Sequence, residues 1–316
     1  MAHELMSEKR PQASFSNGLD RWFPVARGEE VISRHVVQTQ LLGQEIAVWR
    51  DDAGSVNAWE NRCPHRGVRL SIGFNTGTEL RCQYHGWRYA SGSGQCTFIP
   101  AHPTQKPSSA IRAGVYGVLE QYGFVWVRLG QQPADTPVPP AAPALPTAAI
   151  LPTPATLPTP ATLPALAIPA TAATLPALAT PAGLQATSLR SIFVEAPASM
   201  IAEALLRGYR FSADPSRLQG SPDEVLMSAA SVVVAHDAFT LTATLDAHDA
   251  DASVTFLLQP MTESQTVIHG LLHADGAGAD RLTVLRHHGS QMTALRDAVE
   301  GAGRASPGKS AAVANP

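Results

Sequence analysis

Asn61-Arg62-Cys63-Pro64-His65-Arg66-Gly67 and Cys82-Gln83-Tyr84-His85-Gly86-Trp87-Arg88-Tyr89 decide how this chain is read. Each stretch sets a thiol beside an imidazole, as Cys-x-His in the first and Cys-x-x-His in the second. The chain has 3 cysteines in 316 residues, and two of them fall here. Cys63, His65, Cys82 and His85 therefore form a candidate metal-ligand set. Structural zinc accepts the same donors, but its usual spacings are C-x2–4-C and H-x3–5-H. The order found here departs from that pattern. A third reading is two unrelated Cys/His neighbours that bind nothing. Two sulfurs and two nitrogens are also the donors of a [2Fe–2S] cluster with cysteines on one iron and histidines on the other. Neutral imidazoles in place of two thiolates ease reduction, which suits one-electron traffic at a middling potential.

The flanks favour the two-iron reading. Gly67 follows the first pair and Gly86 the second, and each lets the backbone approach a cluster closely. The stretch from about Leu19 to Gly130 resembles the Rieske domain of bacterial Rieske non-haem iron oxygenases. The resemblance includes Arg21-Trp22-Phe23-Pro24-Val25, Gly94-Gln95-Cys96 with Ile99-Pro100, and Gly123-Phe124-Val125-Trp126-Val127. The cytochrome bc type carries an extra disulfide-forming cysteine in each ligand loop. This chain has none there, so the resemblance is to the soluble oxygenase type. Cys96 reads as a small buried residue.

Composition bounds the rest. A chain of 316 residues suggests two domains, and 44% apolar residues can build their cores. The net charge of −3 gives no electrostatic case for nucleic acid. No apolar run is long enough to cross a membrane. Residues 1–18 read as a polar tail without a secretory signal. Few cysteines, two of them in a candidate cluster, suggest a reducing, cytoplasmic setting.

Residues 19–131 read as an all-β domain. Val36-Val37, Glu45 to Trp49, Val56 to Trp59, Val118 to Glu120 and Phe124 to Val127 are its strands. Asp51 to Gly54 and Tyr122-Gly123 are its turns. Residues 132–187 are rich in Pro, Ala and Thr, and Leu151 to Thr156 is repeated directly as Leu157 to Thr162. Proline at this density leaves neither helix nor sheet, so the segment reads as a linker. Residues 188–303 read as an α+β domain. It has a helix from Pro197 to Gly208, strands at Val225–Ala235, Phe239–Asp246, Ser253–Gln259 and Thr266–His273, and a helix from Leu282 to Gly301. Residues 304–316 form a second tail. The resemblance implies a helix-grip catalytic domain for 188–303.

In that family the catalytic domain holds one Fe(II) through two histidines and a carboxylate, the facial triad. Laid on the family pattern, Ala204 replaces an asparagine, Arg207 an aspartate and Arg210 the first histidine. Asp214 or Pro215 falls near the second. An arginine stays protonated and cannot ligate iron. Asp297 is a possible remnant of the third ligand, so a mononuclear iron in this chain is doubtful. His236, His248, His269 and His273 read as exposed polar positions on half-buried strands rather than a replacement set, and the adjacent His287 and His288, at the start of a helix, point about 100° apart and are poor co-ligands.

The expectation is a Rieske [2Fe–2S] electron-transfer component of an oxygenase system. It would take electrons from a reductase or ferredoxin and pass them to a mononuclear iron in a partner subunit, within an oligomer that includes a complete homologous subunit. The alternatives are a complete monooxygenase, demethylase or dioxygenase whose iron ligands lie elsewhere, and a non-catalytic ferredoxin-like carrier.

Overall fold

Two-residue turns at positive φ shape the first unit of the fold. Leu42-Gly43 has φ of 50° and 81°, and Tyr122-Gly123 has 54° and 77°. Paired left-handed residues make the type I′ turn whose twist matches that of the flanking strands. The computed structural model describes residues 19–130, 185–209, 232–244, 252–274 and 281–304. The chain divides into two units, Met1–Thr180 and Pro181–Pro316.

The first unit has three small antiparallel sheets. β1 (Phe23–Arg27) pairs with β10 (Phe124–Arg128), which pairs with β9 (Gly117–Gln121). β2 (Val36–Leu41), β3 (Gln44–Arg50) and β4 (Val56–Glu60) form a meander. β5 (Phe74–Asn75), β6 (Glu79–Arg81), β7 (Arg88–Ala90) and β8 (Cys96–Phe98) form the third sheet. Strands of two or three residues leave no periodicity, so sequence reading misses this sheet. The core lies behind it: Trp49 and Trp59 meet edge to face at 5.1 Å, with Leu70, Leu80 and Tyr89 around them. Cys63, Cys82 and Cys96 are buried in the same cluster.

The second unit is mostly sheet. β11 (Gln185–Ser188), β16 (Gln265–Ala274), β15 (Ala252–Thr262), β14 (Thr240–Thr244) and β13 (Val232–Asp237) lie side by side, and β12 (Ile192–Val194) also pairs with β16. β11 occupies residues that composition assigns to the end of the linker: its four residues pair with Leu271 to Ala274, and hydrogen bonding overrides local propensity. α1 (Ala198–Gly208) and α2 (Arg281–Arg304) supply Ile201, Leu205, Met292 and Val299 to the core. Val254, Phe256 and Leu258 of β15 meet them there. α1 buries Ala198, Ile201 and Leu205, whereas Met200 is exposed. The expected tails, most of the linker, Arg210 to Gly220, the start of the Val225 strand and His248 lie outside the described residues.

His269 and His273 correct the sequence reading, and His288 on α2 shares their burial. They are buried, at 2%, 0% and 6% exposure. His269 and His273 alternate away from the apolar face of β16, alongside Ser253, Thr255 and Gln259 of β15. Polar partners make that burial tolerable. His269 lies 2.8 Å from Ser191 Oγ and 2.9 Å from Gln259 Oε1, and His288 Nδ1 lies 2.9 Å from the Tyr209 hydroxyl.

His273 generates a pH prediction. Burial holds its imidazole below the usual histidine range. The unfolded chain takes up a proton as pH falls below about 6.5, whereas the folded chain resists until lower pH. Its contribution to stability is therefore unimpaired above about 6.5 and lost progressively below. Thermal unfolding measured from about pH 7.5 to 5 should show this loss, and His273→Gln should flatten the slope. Equal slopes in both proteins would refute the assignment.

Candidate metal centre

One turn is built twice. After β4, the Gly67 amide donates to the Cys63 carbonyl at 2.8 Å, and the Cys63 amide donates to the Val68 carbonyl at 2.8 Å. Between β6 and β7, the Gly86 amide donates to the Cys82 carbonyl at 3.1 Å, and the Cys82 amide donates to the Trp87 carbonyl at 2.8 Å. Both loops therefore close from a glycine four residues on and a carbonyl five residues on. Gly67 and Gly86 share a φ of 70°, the left-handed conformation that favours glycine. The sequence spacing hides this likeness, because the histidine is two residues after the cysteine in one loop and three after it in the other.

The shared frame sorts the donors by depth. Cys63 and Cys82 are each 3% exposed, whereas His65 is half-buried and His85 exposed. The two Nδ1 atoms lie 3.1 Å apart, with ring centroids at 4.7 Å. Two nitrogens at about 2.1 Å from one ion, at a tetrahedral angle, would be roughly 3.4 Å apart. Trp87 stacks on His65 at 4.3 Å and 9°, and Tyr84 leans on His85 at 3.8 Å. The Tyr89 hydroxyl lies 3.1 Å from Cys63 Sγ. These three aromatic partners escape spacing arguments, although all stand in the quoted motif.

Electrostatics fit a cation between the loops. Burial pushes the Cys82 thiol up, and Cys63 beside it adds to the shift. Two buried thiols side by side ionise readily only when a metal offsets their charge. Burial lowers the His65 imidazole, with His85 and Arg66 adding, which favours the neutral form that a metal ligand takes. Burial also raises the Tyr89 phenol, so it keeps its proton beside the sulfur. Among the described residues no three His, Cys, Asp or Glu side chains gather as a lone metal ion requires. The four donors instead form two pairs, one of sulfur and one of nitrogen, as two irons would need.

The second unit gathers no such set from its described residues. Arg207 is 74% exposed and pairs with Glu203 one turn back on α1. Asp297 is 65% exposed beside Arg296 on α2. Tyr209 and His288 instead meet between the helices in an apolar setting with Phe256.

Residues 21–122 match the family model of the Rieske [2Fe–2S] domain. Oxidoreductase NdmD of Pseudomonas putida is 59% identical over 117 residues, covering 37% of this chain and 20% of that protein. A 4beta-methylsterol monooxygenase of Methylococcus capsulatus is 41% identical over 123 residues, covering 37% of this chain and 33% of that protein. The chain thus spans about a fifth to a third of these relatives. Solved structures show the fold across both units. NdmA of Pseudomonas putida matches with a TM-score of 0.60 at 16% identity, over 95% of this chain and 86% of that one. Apo dicamba monooxygenase matches at 0.61 and 19%, over 91% and 87%. Residues 21–122 are accordingly a Rieske domain, the kind that holds a [2Fe–2S] cluster.

The twin turns predict a shared weakness. Gly67→Ala and Gly86→Ala each force a side chain into the left-handed region, at about 1–2 kcal/mol. Thermal denaturation should register both losses, with faster release of iron. A Gly67→Ala protein as stable as the parent would argue against this turn.

Proposed function

We propose that the chain is the Rieske electron-transfer component of a non-haem iron oxygenase system. The supporting observation is the pairing of donors by the twin turns: two buried sulfurs beneath two imidazoles near the surface. Cys63 and Cys82 would hold one iron, and His65 and His85 the other. When bound, the cluster supplies one-electron chemistry. Tyr89 donates a hydrogen bond to the Cys63 sulfur and draws charge from it. Trp87 and Tyr84 hold the two imidazoles in place. His65 and His85 form the outer edge where electrons from a reductase or ferredoxin would enter.

The second unit is read as a catalytic domain of the helix-grip type that no longer holds a mononuclear iron. Arg207 and Asp297 both face solvent with partners of their own, which supports this reading. The receiving iron would then belong to a complete homologous subunit in the same oligomer. The module also occurs on a differently built chain, since it makes up a fifth of NdmD. That fits a domain serving chemistry held elsewhere. Three free cysteines are consistent with a reducing, cytoplasmic compartment. One observation favours the alternative of a complete oxygenase: the likeness to NdmA and dicamba monooxygenase runs through both units.

Iron analysis and EPR separate the two. The isolated chain, loaded anaerobically with Fe(II), should bind about two irons and give a Rieske signal after reduction, without substrate-dependent oxygen uptake. A third iron with oxygen uptake would establish the complete oxygenase instead. Tyr89→Phe should keep the signal and lower the midpoint potential. A hydrogen bond worth about 1 kcal/mol corresponds to roughly 40 mV for one electron. An unchanged potential would remove Tyr89 from the cluster's environment.

A further inference from the structure

The excess positive charge of the first unit sits where the ligand loops are. Residues 61–90 hold five arginines (Arg62, Arg66, Arg69, Arg81 and Arg88) against one acid, Glu79. The rest of residues 21–130 balances, with seven basic and seven acidic side chains. Three of the five arginines are engaged. Arg69 grips Glu45 through two hydrogen bonds of 2.9 and 2.6 Å. Arg81 lies over Phe74, and Arg88 lies over Phe98. Arg62 and Arg66 form no ion pair among the described residues, are exposed, and bracket Cys63-Pro64-His65.

The cluster does not need these two as counter-ions. Two ferric ions, two sulfides, two thiolates and two neutral imidazoles carry no net charge. Both guanidinium groups are exposed and so present charge outward, although the Arg62 charge also acts on Glu45. Apolar side chains in the same stretch also stand in solvent, and the Ser71 amide, next to Ile72, donates to Asn61 Oδ1, next to Arg62, at 2.7 Å. Tyr84 beside His85 is 59% exposed, Ile72 52% and Phe74 48%. Gly73, between the last two, lies against the Arg81 carbonyl, where a Cβ would come within 2.4 Å. That contact ties the Ile72–Phe74 segment to the root of the second ligand loop.

We propose that this cationic and apolar rim docks an electron-donor protein whose redox group is surrounded by acidic side chains. Arg62 and Arg66 supply the steering charge, and Tyr84, Ile72 and Phe74 supply the contact. A small rim of this kind suits a brief encounter, in which charge raises the association rate more than the affinity. One electron leaves the donor and enters the cluster, and no bond forms or breaks. The proposal rests on the electron-transfer function above and adds the chemistry of the partner.

The test uses the cluster-loaded full chain and two redox proteins of opposite charge, followed by stopped-flow. A reduced acidic [2Fe–2S] ferredoxin should reduce the chain at a rate that falls about tenfold or more from low to high salt. Basic cytochrome c, taking electrons from the reduced chain, should show no such fall. The double variant Arg62→Glu/Arg66→Glu should slow the ferredoxin about tenfold or more at low salt and speed cytochrome c, with rates compared at equal driving force. Arg112→Glu, reversing an exposed cation outside the segment, should change neither rate by more than about twofold.

Three outcomes would overturn the proposal: a ferredoxin rate indifferent to salt, a double variant no slower than Arg112→Glu, or a shift in its sedimentation that assigns the rim to contact between copies. The Rieske EPR signal separates the two levels of inference. If it is intact while the rates do not respond, docking alone fails; if the unaltered chain lacks it, the electron-transfer reading fails too.

Discussion

The closure of each ligand loop by a left-handed glycine is the constraint on which the first unit depends. An amide four residues on must reach back to the cysteine carbonyl, and only a reversed backbone at Gly67 and Gly86 allows it. With that closure each cysteine turns inward and its histidine outward. The rest of the unit holds the two turns in register. β6 and β7 anchor the second loop at both ends, and β4 launches the first. The tryptophan pair behind them fills the space a flexible support would leave soft. The short third sheet contributes little area of its own and serves mainly to fix these positions.

Much of this could be read from the sequence because the chemistry is local. Four donors in two short motifs need no long-range information, and longer strands such as β3, β10, β15 and β16 announce themselves by apolar runs and turns. What the sequence concealed was relational. The likeness of the two turns lies in backbone hydrogen bonds, not in residue spacing. The Tyr89 contact crosses from β7 to the other loop, a separation of 26 residues. β11 gave no signal because its Gln-Ala-Thr-Ser sequence joins the sheet through pairing with β16. The histidines of β16 looked exposed because imidazoles usually avoid a buried sheet face, and their hydroxyl and amide partners come from other strands.

On the function proposed above, the second unit would be a fold that outlasts a pattern of ligands. Its sheet and two helices keep the apolar core that packing requires. On α1, Arg207 is one half of a surface ion pair, worth little to stability. Between the helices, Tyr209 and His288 satisfy each other inside the core, which avoids the cost of two unpaired buried groups. A core that encloses polar atoms must account for them, and hydrogen bonding within the protein is one way to do so.

The stacking of Trp87 on His65, with Tyr84 against His85, bears on speed as well as position. Electron transfer is slowed by whatever must move when charge arrives. An imidazole clamped face to face by an indole, on a loop closed by its own backbone, has little room to swing. An iron held by these imidazoles, as proposed above, would keep nearly the same surroundings before and after the electron, and the barrier set by rearrangement would be small. Stacked rings at the surface of this domain, where loops are commonly mobile, would favour rapid exchange with the briefly bound partner proposed above.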